Sequence, residues 1–345
     1  MSSTLSLPDN FTIDVHTHPI PEFYKDALIQ SGASVTGDQL IVDGFATPPW
    51  TLQTYMENRD RCGFDFSLMS ITALGVSFLK DIPAAAKLAR RLNDQMASWV
   101  NLHPTRLGAL GVLPIPDVAS SLEEIKEYCL DDLEFEGIGL YTNYNGIYLG
   151  DTSFDPIMAE LNDRKASVHV HPCQPFPEPN MVGMAAPALE YPFDTTRAIA
   201  NLLLQGTQTK FPNIKFVFSH GGGAIPYLAG RIAGITCLPS QGGFNPNESF
   251  QKMQDHHFDL AASTTSPQLA AIMGFVGSKS LMIGSDFPYV PENGVALSME
   301  QFSSSSYLSA EQTRDVRHRN TLSVFPRIAS KLAGSTSAMI SRAEK

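Results

Sequence analysis

Hydrophobic residues along the chain fall into short β-branched or apolar runs separated by stretches of helical period. The runs are Phe11–Val15, Phe64–Ser70, Gly108–Leu113, Gly137–Tyr141, Ser167–His171, Ile214–Ser219, Phe258–Ala261 and Ser280–Gly284. Between them the spacing predicts helices over Leu52–Arg61, Ala84–Leu102, Ser121–Leu130, Phe154–Asn162, Thr195–Gln205, Ile225–Ile235 and Pro267–Phe275. Strands that alternate with helices indicate parallel β/α units, and eight such units close a barrel. The expected fold is an α/β, (β/α)8 TIM-type barrel. Three stretches break the alternation: Ile20–Pro49 after the first strand, Cys173–Tyr191 after the fifth, and Leu238–Asn247 before the seventh. The first two leave the carboxyl ends of strands, where barrel active sites are built, and are expected as lid loops. One domain over 1–345 is expected, with 1–10 and 331–345 as flexible tails.

Composition narrows the function. Of 345 residues, 43% are hydrophobic, enough for one large core, and barrels reach this length as one unit. The net charge of −11 argues against nucleic acid, which needs a basic face. No apolar run has the length of a membrane span, and Met1–Asn10 lacks the basic and apolar regions of a signal peptide, so a cytoplasmic protein is expected. Cys62, Cys129, Cys173 and Cys237 form no C-x-x-C pair and are expected as free thiols.

Chemistry-bearing residues gather at strand ends. Asp14-Val15-His16-Thr17-His18 closes the first strand, and a period of two puts His16 and His18 on one face, where two imidazoles can bind one divalent ion. Pro172 stops the fifth strand and leaves His171 at the mouth, with His169 one layer deeper as a hydrogen-bonded core residue or one that orients a ligand. His220 follows the sixth strand and leads into Gly221-Gly222-Gly223, a run that permits close backbone approach to a ligand or makes a tight turn. Asp286 follows the eighth strand and suits metal binding, proton transfer or a helix cap. Four histidines and an aspartate at the ends of strands one, five, six and eight make the case for a mononuclear site. His103, His256, His257 and His318 carry no such signal. Neither a G-x-S-x-G elbow nor a G-x-G-x-x-G after a strand is present.

These motifs resemble the amidohydrolase superfamily, in the branch of aminocarboxymuconate-semialdehyde decarboxylase and related aromatic-acid decarboxylases. The likeness runs from Asp14-Val15-His16-Thr17-His18-Pro19 to Asn320-Thr321-Leu322-Ser323-Val324-Phe325-Pro326. Its most specific stretches are Ser219-His220-Gly221-Gly222-Gly223-Ala224-Ile225-Pro226 and Ile283-Gly284-Ser285-Asp286-Phe287-Pro288, and Phe258-Asp259-Leu260-Ala261 fits the strand-seven pattern. The resemblance implies that His16, His18, His171 and Asp286 hold one divalent ion, zinc or else manganese, and that His220 activates water or moves a proton. It implies that Arg231 reaches the neighbouring subunit's site in a homodimer and binds a substrate carboxylate; the alternative is a helix-surface arginine.

The chain departs from the muconate enzyme in one place. The turn Asp60-Arg61-Cys62-Gly63 matches, but the substrate-binding arginine a few residues earlier is not in its position within Tyr55-Met56-Glu57-Asn58-Arg59. A monocarboxylate needs fewer cations than a dicarboxylate. The overall look is similar to the fungal 6-methylsalicylate decarboxylases of polyketide secondary metabolism, and Phe23, Trp50, Phe78, Phe176 and Phe287 are expected to line an aromatic pocket. The resemblance therefore implies non-oxidative decarboxylation of an ortho-hydroxybenzoate, 6-methylsalicylate giving 3-methylphenol, with Asp286 or His220 as the acid. The alternatives are a metal-dependent hydrolase of a lactone, ester or amide, and an inactive barrel that serves as a binding protein.

Overall fold

The computed structural model describes residues 7–176 and 183–333. Eight parallel strands form one sheet in chain order: β1 Ile13–Thr17, β2 Phe66–Met69, β3 Leu107–Gly111, β4 Gly137–Tyr141, β5 Ser167–His171, β6 Lys215–Phe218, β7 His257–Asp259 and β8 Leu281–Met282. The sheet closes through the bridges Asp14↔Ile283 and Thr17↔Phe287, with the Val15 amide donating to the Ile283 carbonyl at 2.9 Å. Each expected run overlaps one of these strands, with β1, β3 and β7 extending one or two residues beyond theirs, and the fold is the (β/α)8 barrel. The strands read as near-continuous apolar runs because the barrel interior covers one face and the helices the other.

Helices α1 Glu22–Gln30, α2 Leu52–Arg61, α3 Ile82–Leu102, α4 Val118–Glu123, α5 Asp155–Asp163, α6 Ala186–Leu204, α7 Thr207–Lys210, α8 Ile225–Thr236, α9 Pro246–Gln254, α10 Ser266–Val276 and α11 Glu292–Ser303 surround it. Local signals set several starts. Thr51 and Thr54 form a reciprocal capping box on α2, and the Asp81 carboxylate accepts from the Ala84 amide at the start of α3. The helix expected over Ser121–Leu130 is divided: α4 passes into a π-helical turn, Glu124–Cys129, whose Glu124 carboxylate accepts from Arg90 and Asn93. The helix expected from Thr195 begins at Ala186 and runs through Pro192, so prolines that read as a loop sit in its first two turns.

The insertion after β1 is not structureless. It contains α1 and a three-stranded antiparallel sheet, Ser34–Thr36, Gln39–Val42 and Phe45–Ala46. These strands escaped notice because each has two to four residues, too few to establish a period. Of the segment after β5, the described part leads into α6, and residues 177–182 lie outside the described residues. Among the described residues no helix is long and apolar enough to cross a membrane.

The base of the barrel is plugged. Ile13, Val15, Phe66, Leu68, Leu110, Val217 and Met282 pack in one cluster with Val324, Phe325, Ile328 and Leu332. Residues 331–333, in the stretch expected as a tail, are helical, and Leu332 is buried; Leu7 packs on the same cluster. Residues 1–6 and 334–345 of the two expected tails lie outside the described residues. Phe325→Ala should leave a cavity and destabilise the fold by about 3–5 kcal/mol. The check is a thermal or urea melt against wild type; an unchanged midpoint would show that the plug carries no weight.

Candidate metal centre and active site

The register of β1 on β2 shifts between Asp14 and Thr17. Asp14 accepts from the His16 amide (3.1 Å) at that shift and from the Ser285 amide (3.0 Å) across the barrel seam. Val15 belongs to the basal cluster, yet His16 next to it faces the other histidines. A bulge of this kind re-aims side chains beside active sites. Burial pushes the Asp14 carboxyl up to about 7, against the hydrogen bonds from Ser285 and His16.

Three imidazoles are fixed in one tautomer by what lies behind them. His16 Nδ1–H donates to Asp259 Oδ2 (2.9 Å), His18 Nδ1–H to the Ser70 carbonyl (3.0 Å) and His171 Nδ1–H to the Pro172 carbonyl (2.7 Å). A carbonyl or ionised carboxylate only accepts, so each Nε2 carries a lone pair. His16 Nε2 and His18 Nε2 lie 3.0 Å apart, and Asp286 Oδ1 is 3.4 Å and 3.1 Å from them. The His171 ring centroid is 5.1 Å from that of His16 and 4.7 Å from that of His18. Acceptors that converge without a proton between them repel, and a cation resolves the repulsion. Three imidazole nitrogens and a carboxylate are a donor set for a divalent transition ion, so the residues fit the metal. Burial holds His16 down at about 4, against the charges of Asp259 and Asp286, and holds His171 well below the ordinary imidazole range, so both are neutral as ligands must be.

His220 completes the cluster. Its Nε2 is 3.3 Å from Asp286 Oδ2, and its ligand atoms lie within 4.8 Å of those of His16, His171 and Asp286. Burial works against its charge, but the hydrogen bond and the negative charge of Asp286 raise it above the usual imidazole value. His220 (φ 55°) and Asp286 (φ 60°) both sit in the left-handed region, which costs of order 1–3 kcal/mol each for such residues and concentrates at functional sites. The glycine run lets this backbone pack: a Cβ at Gly223 would lie 2.0 Å from the Pro192 carbonyl oxygen.

Asp259 is the residue to which sequence reasoning gave no role. Its Oδ2 accepts from His16 Nδ1 and from His169 Nε2, each at 2.9 Å, and its Oδ1 from the amides of His220 (3.1 Å) and Ala261 (3.0 Å). Burial would push its carboxyl up, but His16 and His169 hold it well below the usual carboxylate range. Its signal was the same as that of the candidate ligands, a polar side chain closing a barrel strand.

A cavity of about 680 Å³ opens over the cluster, with His171, His220 and Asp286 on its floor and Phe45, Tyr191, Tyr227 and Tyr289 among its walls. Among the described residues no lysine or arginine lines it. None of the five expected aromatic residues lines it either. Phe23 lies under the Arg91 guanidinium (3.9 Å), Trp50 packs on Trp99 (4.8 Å), Phe78 meets Tyr24 (6.1 Å), and Phe176 is exposed. Phe287 follows Asp286 directly; with Asp286 turned to the axis, Phe287 turns outward and stacks on Tyr55 of α2 (6.0 Å). Arg59 is buried in the wall, its Nε donating to the Ser67 hydroxyl, and is not among the residues that line the cavity. Arg231 is exposed on α8, one turn beyond Tyr227, with no hydrogen-bond or ion-pair partner among the described residues.

Barrel and donor set together define a (β/α)8 protein with a mononuclear metal-type centre at its mouth. A family model described as amidohydrolase matches residues 13–327, and the chain belongs to that family. It is 32% identical over 328 residues to decarboxylase yanB of Aspergillus niger, covering 91% of this chain and 87% of the relative. It is 32% identical over 322 residues to the 6-methylsalicylic acid decarboxylase of Penicillium expansum, covering 92% and 96%. A crystal structure of an amidohydrolase II protein, 27% identical, superposes with a TM-score of 0.84 over 91% of this chain and 99% of that one.

Asp259→Asn should lower affinity for a divalent ion about 10–100-fold, since it unlocks the tautomer of His16. Metal content after dialysis against graded chelator measures this; wild-type retention would remove Asp259 from the site.

Proposed function

We propose that this protein is a metal-dependent, non-oxidative decarboxylase of an ortho-hydroxybenzoate, with 6-methylsalicylate as substrate and 3-methylphenol and carbon dioxide as products. The observation that carries the reading is the His220–Asp286 pair on the floor of an apolar cavity, beside three imidazoles whose lone pairs converge. Relatives that are 32% identical over most of both chains and named as decarboxylases support it. The enzyme is a carboxy-lyase, and its four free thiols suit the cytoplasm.

His16, His18, His171 and Asp286 hold the ion, zinc in our reading, with manganese compatible with the mixed ligation. When bound, a divalent ion supplies Lewis acidity to the substrate's carboxylate and phenolic oxygens. The chain's own residues do the rest. The cavity walls exclude water from the ring, which favours protonation by a fixed group. His220 and Asp286 share one proton over 3.3 Å and deliver it to the ring carbon that bears the carboxylate. A carbon–hydrogen bond forms there and aromaticity is lost; the carbon–carbon bond to the carboxylate then breaks. Its electron pair returns to the ring, and carbon dioxide leaves. Among the described residues no cation lines the cavity, which disfavours a second carboxylate and suits a monoacid.

Arg231 is proposed to serve the partner's site in a homodimer. The exposed face of α8 carries Tyr227, Gly230, Arg231, Gly234 and Ile235, small and apolar residues around one unpaired guanidinium. An arginine that crosses to the partner would pair bidentately with a carboxylate.

Incubation with a panel of hydroxybenzoates should give 3-methylphenol and gas from 6-methylsalicylate, without incorporation of labelled water oxygen. Opening of a lactone or ester with no gas would support a hydrolase instead. His16→Ala should lose both metal and activity, and chelation followed by add-back of zinc or manganese should rank the ions. Arg231→Ala and His16→Ala should each be inactive alone, and mixed subunits should recover activity. Failure of the mixture would place Arg231 outside the site.

A further inference from the structure

The insertion sheet ends in a two-residue turn, Asp43-Gly44, between the paired residues Val42 and Phe45. Both turn residues have positive φ (51° and 77°), the geometry of a tight hairpin. The outer strand of the sheet, Ser34–Thr36, is exposed throughout, and in the middle strand, Gln39–Val42, only Leu40 is buried. Its tip is nevertheless docked. Tyr191 Oη donates to Asp43 Oδ2 at 2.7 Å, the Ala186 amide donates to the Asp43 carbonyl at 3.1 Å, and a Cβ at Gly44 would lie 3.3 Å from Ala185 Cα. The receiving helix is itself pinned. Asp194, one turn beyond Tyr191 and fully buried, accepts from Thr142, Asn143 and Tyr148 of the β4 side of the barrel.

This docking puts two side chains of the hairpin, Val42 and Phe45, on the cavity wall. Phe45 is 37% exposed, an aromatic ring left open toward the cavity. Its centroid is 6.0 Å from Tyr289, whose ring stands edge-on to His18 at 5.7 Å. Tyr191 stands edge-on to His171 at 5.9 Å, and its hydroxyl is taken by Asp43. The ring of Phe45 is therefore held two aromatic layers from the metal-type centre, by a contact between the two insertions of the barrel.

We propose that Phe45 determines specificity by packing on the apolar substituent of the substrate's ring, and that the Asp43–Tyr191 hydrogen bond is the latch that positions it. The proposal rests on the reading of this site as a hydroxybenzoate decarboxylase. Tyr191 and Asp43 are positioning residues: they act through the hairpin. Aromatic packing of this kind is directional and distinguishes a ring that bears a methyl group from one that does not.

The test is steady-state kinetics of the metal-loaded enzyme on 6-methylsalicylate and on salicylate, for wild type, Phe45→Ala, Phe45→Leu, Asp43→Asn, Tyr191→Phe and the Asp43→Asn/Tyr191→Phe double variant. Melting temperature and metal content identify any variant that fails to fold, and Phe45→Leu keeps the question open to measurement if Phe45→Ala does not. Phe45→Ala should lower the ratio of kcat/KM for the methylated over the unmethylated acid by about tenfold, the scale of one methyl group in an apolar pocket. Phe45→Leu should lower it less. The latch variants should raise KM about tenfold and change kcat by less than about threefold, and the double variant should be no worse than either single one. An unchanged ratio in both Phe45 variants overturns the proposal, as does a loss in kcat alone from the latch variants. A wild type silent on every hydroxybenzoate would instead overturn the decarboxylase reading, and this proposal with it.

Discussion

The whole site hangs on one buried carboxylate. Asp259 is enclosed at the end of β7 with four donors on its two oxygens, drawn from β1, β5, the turn after β6 and its own turn. A charge in such a place is tolerated only because every lone pair is engaged. In return it decides which nitrogen of His16 carries the proton, and with that which nitrogen faces the cavity. It also holds the backbone of His220, so the proposed proton-transfer group and the proposed ligand set share one anchor.

The strands were legible because a barrel wall is apolar on both faces, and eight continuous runs announce it. Their limits were less so. β8 has only two ladder residues, and the seam to β1 is made by single bridges at Ile283, within the run, and at Phe287, beyond it. The candidate ligands were legible because His16, His18, His171 and Asp286 all lie at strand ends. Asp259 closes a strand too, but a lone aspartate inside an apolar run has no partner in sequence to reveal what it holds. The start of α6 was hidden by Pro187 and Pro192, which fit the early turns of a helix as well as they fit a loop.

The walls of the cavity could not be read from residue type. Phe287 and Asp286 are neighbours, yet one faces the axis and the other faces α2. Phe45 and Phe23 lie in the same insertion, and its small sheet brings Phe45 over the site while Phe23 meets Arg91. Side-chain direction in an insertion follows from its tertiary docking, and that docking depends on Tyr191, far along the chain. An aromatic count along the sequence carries none of this information.

The plug at the base has a consequence for biosynthesis. β1, with His16 in it and His18 just after it, leaves the ribosome well before β8, the Asp286 that follows β8, and the segment holding Phe325 and Ile328. Neither the ring of strands nor its floor can be sealed until Phe325 and Ile328 have been made. A nascent chain must therefore carry an open apolar half-barrel until that segment emerges, at the slow pace of peptide synthesis, and it is in that interval that it is most exposed to aggregation and to chaperone capture.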